Sequence, residues 1–396
     1  MKLITCTCVI LVILILEVEG KLELDIFKTD VSSTIGKHHG RYIRSALTGL
    51  EGNYPWKNDS ADIYKFMNGE YYGLIKVGSP AQQFRVMFDT TWSDVWLPSS
   101  HCAWTEIVCQ LHNRYDGSKS STHVENGTII NLNSSALSLG GILSTDNFHL
   151  QNIEIVNQTF LEATHISLNP FVKYKSDGIV GLAYKEQSGW PGVTPFFYNL
   201  MTQNLIEDYV FTFYMNRDAT TDRAGKILFG ATARTKIVPD TLTKLEVVEP
   251  HKLWKVKVGG IFATKSKKEY PITGETYAVF DSAANTIVGP SELIKKLNYM
   301  LQAVYISGLD RYSVNCREYA KLPSVTFVMN GQNFEIQSKY YVQRVVVESI
   351  EACFSPFIEN EDPTADYWEL GGAFMMEFYT EFNMNEHAVY VAKTIF

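Results

Sequence analysis

The chain has 396 residues, 45% of them hydrophobic and 13% aromatic, with a formal net charge of −8. That length supports two buried cores of ordinary domain size, and the aromatic content with scattered glycines favours a strand-rich protein over a helical bundle. Residues 1–60 carry seven basic and seven acidic side chains, so the negative excess belongs to the rest, and a net-acidic body without a dense basic cluster argues against nucleic acid as a partner.

In chain order, Lys2 precedes an apolar run from Leu3 to Leu16, followed by Val18-Glu19-Gly20. A positive start, a short apolar stretch and a small-residue exit read as a secretory signal peptide over residues 1–20, too short for a membrane span. No other stretch could cross a bilayer, so the expectation is a secreted or endolysosomal protein with no span once the signal is removed. Residues 21–60 form a mixed-charge arm that includes Lys37-His38-His39-Gly40-Arg41-Tyr42-Ile43-Arg44 and reads as a surface arm or spacer. Two lobes follow, over 61–215 and 216–396.

From Tyr72 to Leu97, apolar runs broken by Gly78-Ser79-Pro80 read as strands. Asn126-Gly127 reads as a hairpin turn before Thr128-Ile129-Ile130. Asn58, Asn126, Asn133 and Asn157 each open an Asn-X-Ser/Thr triplet, making them candidate glycosylation acceptors in a secreted chain. Helices are expected over Val193–Asp208 and, behind a Ser291 cap, over Ser291–Leu297. Cys6 and Cys8 leave with the signal. Cys102, Cys109, Cys316 and Cys353 suit disulfides in an oxidising compartment and allow three pairings; a metal site using Cys102, Cys109, His101 and His112 competes but lacks the tight spacing of zinc ligands.

One stretch occurs twice. Val86-Met87-Phe88-Asp89-Thr90-Thr91-Trp92-Ser93-Asp94-Val95-Trp96-Leu97-Pro98-Ser99 returns as Ala278-Val279-Phe280-Asp281-Ser282-Ala283-Ala284-Asn285-Thr286-Ile287-Val288-Gly289-Pro290-Ser291, with matching offsets. The repeat implies two similar lobes, each presenting one carboxylate at the end of a buried strand. Two carboxylates brought to one interface cannot both ionise, so one keeps a proton as acid while the other acts as base on a water.

These motifs resemble the pepsin and cathepsin D type of aspartic protease. So do Tyr72-Gly73-Leu74-Ile75-Lys76-Val77-Gly78-Ser79-Pro80-Ala81-Gln82, Asp177-Gly178-Ile179-Val180-Gly181-Leu182-Ala183-Tyr184, Gly225-Lys226-Ile227-Leu228-Phe229-Gly230, Leu322-Pro323-Ser324-Val325-Thr326-Phe327 and Phe378-Tyr379-Thr380-Glu381-Phe382. The resemblance implies an all-β, bilobal fold with a central cleft, and Asp89 and Asp281 as the catalytic dyad. Thr90, Ser282 and Trp96 become supporting residues, and residues 21–60 a pro-segment-like arm. It also implies the pairings Cys102–Cys109 and Cys316–Cys353, and it calls for neither a cofactor nor a metal. Residues 131–143 occupy the family's flap, the hairpin that closes over a bound peptide, with Ser134 where the family has tyrosine.

The departures fall on the chemistry. Thr91 and Ala283 replace glycines, and Trp92 and Ala284 replace the hydroxyls that bind the outer oxygens of the aspartates. Glu369 and Gly372 depart from the family's pattern near the end, and a carboxylate at a normally apolar position needs a partner or water. The altered motifs resemble those of the catalytically inactive, cockroach-allergen-type members. The reading is therefore a monomeric pseudoprotease that binds a peptide or small ligand in its cleft. The alternatives are an active aspartic endopeptidase of altered specificity and a secreted surface-interaction protein without cleft function. Strand alternation turns Asn133 outward if Ser134 points into the cleft, so a glycan on Asn133 would shield the flap's outer face.

Overall fold

A computed structural model describes residues 22–28, 70–133, 137–215, 223–307, 309–347 and 350–395. The signal peptide, Asn58, Ser134 and most of the arm lie outside the described residues. The protein is built from strands with a few short helices. A 13-stranded sheet runs from Thr243–Glu246 through Ala388–Lys393, Phe378–Asn383, Val210–Met215 and Arg223–Phe229 to Leu22–Lys28, then onward through Tyr71–Val77 and Gln82–Asp89 to the flap strands Ser138–Leu150 and Val124–Asn133. Sheets of five, four and four strands complete the second lobe.

Within the stretch 21–60, residues 22–28 form the strand Leu22–Lys28. It pairs antiparallel with Arg223–Phe229 along most of its length and with Tyr71 and Tyr72 at its end. Its alternating Leu22, Leu24 and Ile26 are buried in the main core, as one face of a strand demands. Leu24 lies over Gly73 so closely that a Cβ there would sit 2.6 Å from Leu24 Cδ2. Leu24→Ala therefore opens a cavity beneath a rigid backbone and is expected to cost about 3 kcal/mol. A shift in the urea midpoint at unchanged slope is the check.

Three local expectations change. Asn126 and Gly127 lie inside the strand Val124–Asn133, where the register shifts between Glu125 and Ile129. Gly127 takes φ +74°, so the pair forms a bulge, not a hairpin turn. The first expected helix shortens to Phe196–Thr202, and the second extends to Ser291–Met300. Pro290 is the residue that caps it, and the Ser291 hydroxyl binds the Glu359 carboxylate instead.

Candidate active site

The same small topology is built twice. Gln82–Asp89 runs parallel to Gly178–Gly181, which runs antiparallel to Val95–Pro98. In the second lobe Thr276–Phe280 runs parallel to Tyr367–Leu370, which runs antiparallel to Ile287–Gly289. Each aspartate leaves the end of its strand and its chain turns over a glycine. A Cβ on Gly181 would lie 2.5 Å from the Trp92 carbonyl oxygen, and one on Gly371 would lie 2.4 Å from that of Thr286. Only a residue without a side chain lets the backbones cross this closely.

Thr90 and Ser282 then tie the lobes together. The Thr90 hydroxyl donates to the Phe280 carbonyl at 2.7 Å and accepts from the Ser282 amide at 3.0 Å. The Ser282 hydroxyl donates to the Phe88 carbonyl at 2.6 Å and accepts from the Thr90 amide at 3.0 Å. All four bonds are buried, so each group removed strands its partners away from water. Thr90→Val keeps the volume but leaves the Phe280 carbonyl and Ser282 amide unpaired, an expected loss of about 2–4 kcal/mol measurable by denaturant unfolding.

Asp89 and Asp281 are 7% and 8% exposed. Oδ1 of Asp89 accepts the Thr91 amide at 2.7 Å and the Thr91 hydroxyl at 2.6 Å. Oδ1 of Asp281 accepts the amides of Ala283 at 2.9 Å and Ala284 at 3.2 Å. Thr91 thus does more than crowd the loop: it returns one hydroxyl to Asp89, but on the oxygen that its own amide already binds. Trp92 and Ala284 carry no side-chain oxygen, and among the described residues no hydroxyl reaches the outer oxygen of either aspartate.

Burial raises the Asp281 carboxyl to about 8, helped by the charges of Asp89 and Glu369 and opposed by the amides of Ala283 and Ala284. Burial also raises Asp89, against the Thr91 hydroxyl and the Thr91 and Trp92 amides. Glu369 sits opposite Val279 in the parallel pair and is raised by burial and by Asp89's charge, opposed by a long contact from Asn360. The dyad therefore holds a proton, with Asp281 its more natural carrier and Asp89 the better hydrogen-bonded anion. Tyr174 is a neighbour that motif reading does not find. Burial, then the charges of Glu70, Asp281 and Asp89, push its hydroxyl up.

Trp96 is buried against Phe171, edge to face at 5.1 Å, and its indole N–H has no partner among the described residues. Trp92 meets Trp190 edge to face at 6.5 Å, and its indole N–H is likewise unpaired. Asn126, Asn133 and Asn157 are all exposed; Asn133 Oδ1 accepts the Ser138 hydroxyl at 2.8 Å, and Leu132 beside it packs inward. Disulfides join Cys102 to Cys109 and Cys316 to Cys353. This removes the thiolates that the competing metal reading needs, and His112 instead contacts the Phe171 carbonyl and Asp177. No helix among the described residues is long and apolar enough to cross a membrane.

Residues 70–394 match the family model described as eukaryotic aspartyl protease. Cathepsin D of Gallus gallus is 35% identical over 336 residues, covering 84% of this chain and 83% of the relative. Cathepsin D of Dictyostelium discoideum is 32% identical over 84% of this chain and 85% of its own length, and that of Homo sapiens 30% identical over 94% and 89%. With the paired aspartate loops, their cross-lobe lock and a match that spans both lobes, the chain belongs to the eukaryotic aspartyl protease family.

Proposed function

We propose that this protein is a secreted pseudoprotease, a member of its family that keeps the interlobe cleft for a peptide or small ligand while its hydrolytic power is severely weakened. One observation carries the reading: the hydrogen bonds that Thr91, Ala283 and Ala284 give the dyad all fall on Oδ1, and Trp92 and Ala284, at the positions of the family's outer-oxygen hydroxyls, have no side-chain oxygen and offer only backbone amides. A carboxylate whose reacting oxygen lacks a fixed donor is less well oriented toward the attacking water, and its charge is less well supported as the transition state forms. Export through residues 1–20 and glycans on the exposed acceptors Asn126, Asn133 and Asn157 belong to this reading.

A second reading, a slow aspartic endopeptidase, is favoured by the intact Thr90–Ser282 lock and by the proton-sharing electrostatics of the dyad. Cleavage of a peptide library from pH 3 to 8, with Asp89→Asn as control, separates the two. The pseudoprotease reading expects turnover no higher than that control together with measurable pepstatin binding. Robust cleavage abolished by Asp89→Asn establishes the endopeptidase.

A further inference from the structure

Trp92 does not only displace a hydroxyl. It forms one wall of a cavity of about 270 Å³ between the flap and the turn after residue 184. Trp190 closes the opposite side, standing edge-on to Trp92 with ring centres 6.5 Å apart. Leu132 and Leu137 of the flap contribute apolar surface, and exposed Asn133 stands at the margin. Asp94 also lines the cavity while being only 3% exposed. Its carboxylate is held in place by the Ser188 hydroxyl at 2.7 Å on one oxygen and, more distantly, by Ser93 at 3.4 Å on the other. These two hydroxyls are neutral donors, so the carboxylate has no described cationic partner in its surroundings.

The space suits one long side chain and is smaller than a drug-sized site. Its chemistry is selective. Indole faces attract a cation through their quadrupole, leucines accept a methylene stem, and a buried carboxylate orients the positive head. We infer that this cavity recognises an alkylammonium group on an apolar stem, as carried by a lysine side chain of a peptide or by a free amine. The inference rests on the reading that the cleft still receives ligands, and it adds a charge preference to that reading.

Burial holds the Asp94 carboxyl up at about 6, against the Ser188 and Ser93 hydroxyls. Among the described lining residues it is the one acidic or basic side chain, because the flap supplies leucines and an asparagine and the turn supplies Gln187, Gly189 and Trp190. Lys185 and Glu186 on the same turn are exposed and face one another at 4.0 Å. A raised carboxyl is charged above its pKa and neutral below it, so cation binding belongs to neutral pH and fades in acid.

The test uses the full secreted chain, enzymatically deglycosylated so that a sugar on Asn133 does not cover the margin. Three probes are titrated by tryptophan fluorescence and saturation-transfer NMR: Nα-acetyl-lysine methylamide, its norleucine counterpart and n-butylammonium. Lysine is expected to bind at least tenfold more tightly than norleucine at pH 7.5, and the difference to disappear at pH 5. Asp94→Asn, nearly isosteric, should erase the lysine preference, and Trp190→Leu should weaken lysine and norleucine alike. Butylammonium competing with lysine assigns a free-amine site; lysine binding alone assigns a peptide side-chain site. Equal binding of lysine and norleucine, or an Asp94→Asn variant that keeps the preference, overturns the inference. Pepstatin binding, measured alongside, distinguishes failure of this pocket from failure of the cleft reading, since pepstatin carries no cation.

Discussion

Combining Thr91→Gly, Trp92→Ser, Ala283→Gly, Ala284→Thr and Ser134→Tyr in one variant is expected to raise kcat/KM on acid-labile peptides by about 10²–10⁴. The estimate comes from two hydrogen bonds to charged groups, each worth about 1.5–3 kcal/mol, acting on the outer oxygens that now lack them. No single change should do this. Thr91→Gly alone removes the 2.6 Å hydroxyl bond to Asp89 without supplying an outer donor. Ala284→Thr alone serves one aspartate while Trp92 still stands beside the other. Residues that work as a unit are not additive, so the gain appears only in the combination. A combined variant that folds, binds pepstatin and still cleaves no faster than the natural chain would show that these five positions do not limit turnover.

Asp281→Asn is expected to stabilise the protein at pH 8 and to change little at pH 4. Asp281, Asp89 and Glu369 are all raised in the folded chain. A raised carboxyl means that the folded state holds protons which the unfolded state releases. Stability is therefore greatest below the unfolded value, near pH 4, and declines as pH climbs; for Asp281 the decline runs up to about 8. Asparagine is neutral throughout and escapes the decline. With each unit worth about 1.4 kcal/mol and part of the shift shared across the coupled pair, the gain at pH 8 is on the order of 3 kcal/mol. Urea midpoints of both proteins at the two pH values measure it. A loss at pH 8 would mean that Asp281 is a stabilising anion and that the proton resides elsewhere.

The legible parts of this molecule were those written locally. The paired Phe-Asp segments announced two equivalent strand ends because each needs only about a dozen consecutive residues to specify strand, turn and return strand. Glu369 was legible as a carboxylate out of place, but its coupling to the dyad needed the parallel pairing beside Val279. Sequence shows the Cβ that Thr91 adds but not where its hydroxyl points, which here is onto Asp89. Asn126-Gly127 has the sequence of a turn, yet a glycine in the left-handed region serves a bulge as well as a turn. Glu381 shows the limit most plainly. It is fully buried in the central sheet and is held by Arg234 at 3.0 and 2.7 Å and by the Tyr379 hydroxyl at 2.6 Å. The cation comes from a separate loop 147 positions away, and no local pattern links them.

The strand Leu22–Lys28 sets an order of events during synthesis. It emerges from the ribosome before any other described element, yet one flank waits for Tyr71–Val77 and the other for Arg223–Phe229. The second partner is translated about two hundred residues later, so this pairing carries one of the largest closure entropies in the molecule. Until then Leu22, Leu24 and Ile26 form an apolar strand without its lasting neighbour, the kind of segment that chaperones shelter and aggregates recruit. The earliest strand made is thus among the last secured, and the first lobe cannot finish its central sheet until the chain has begun the second.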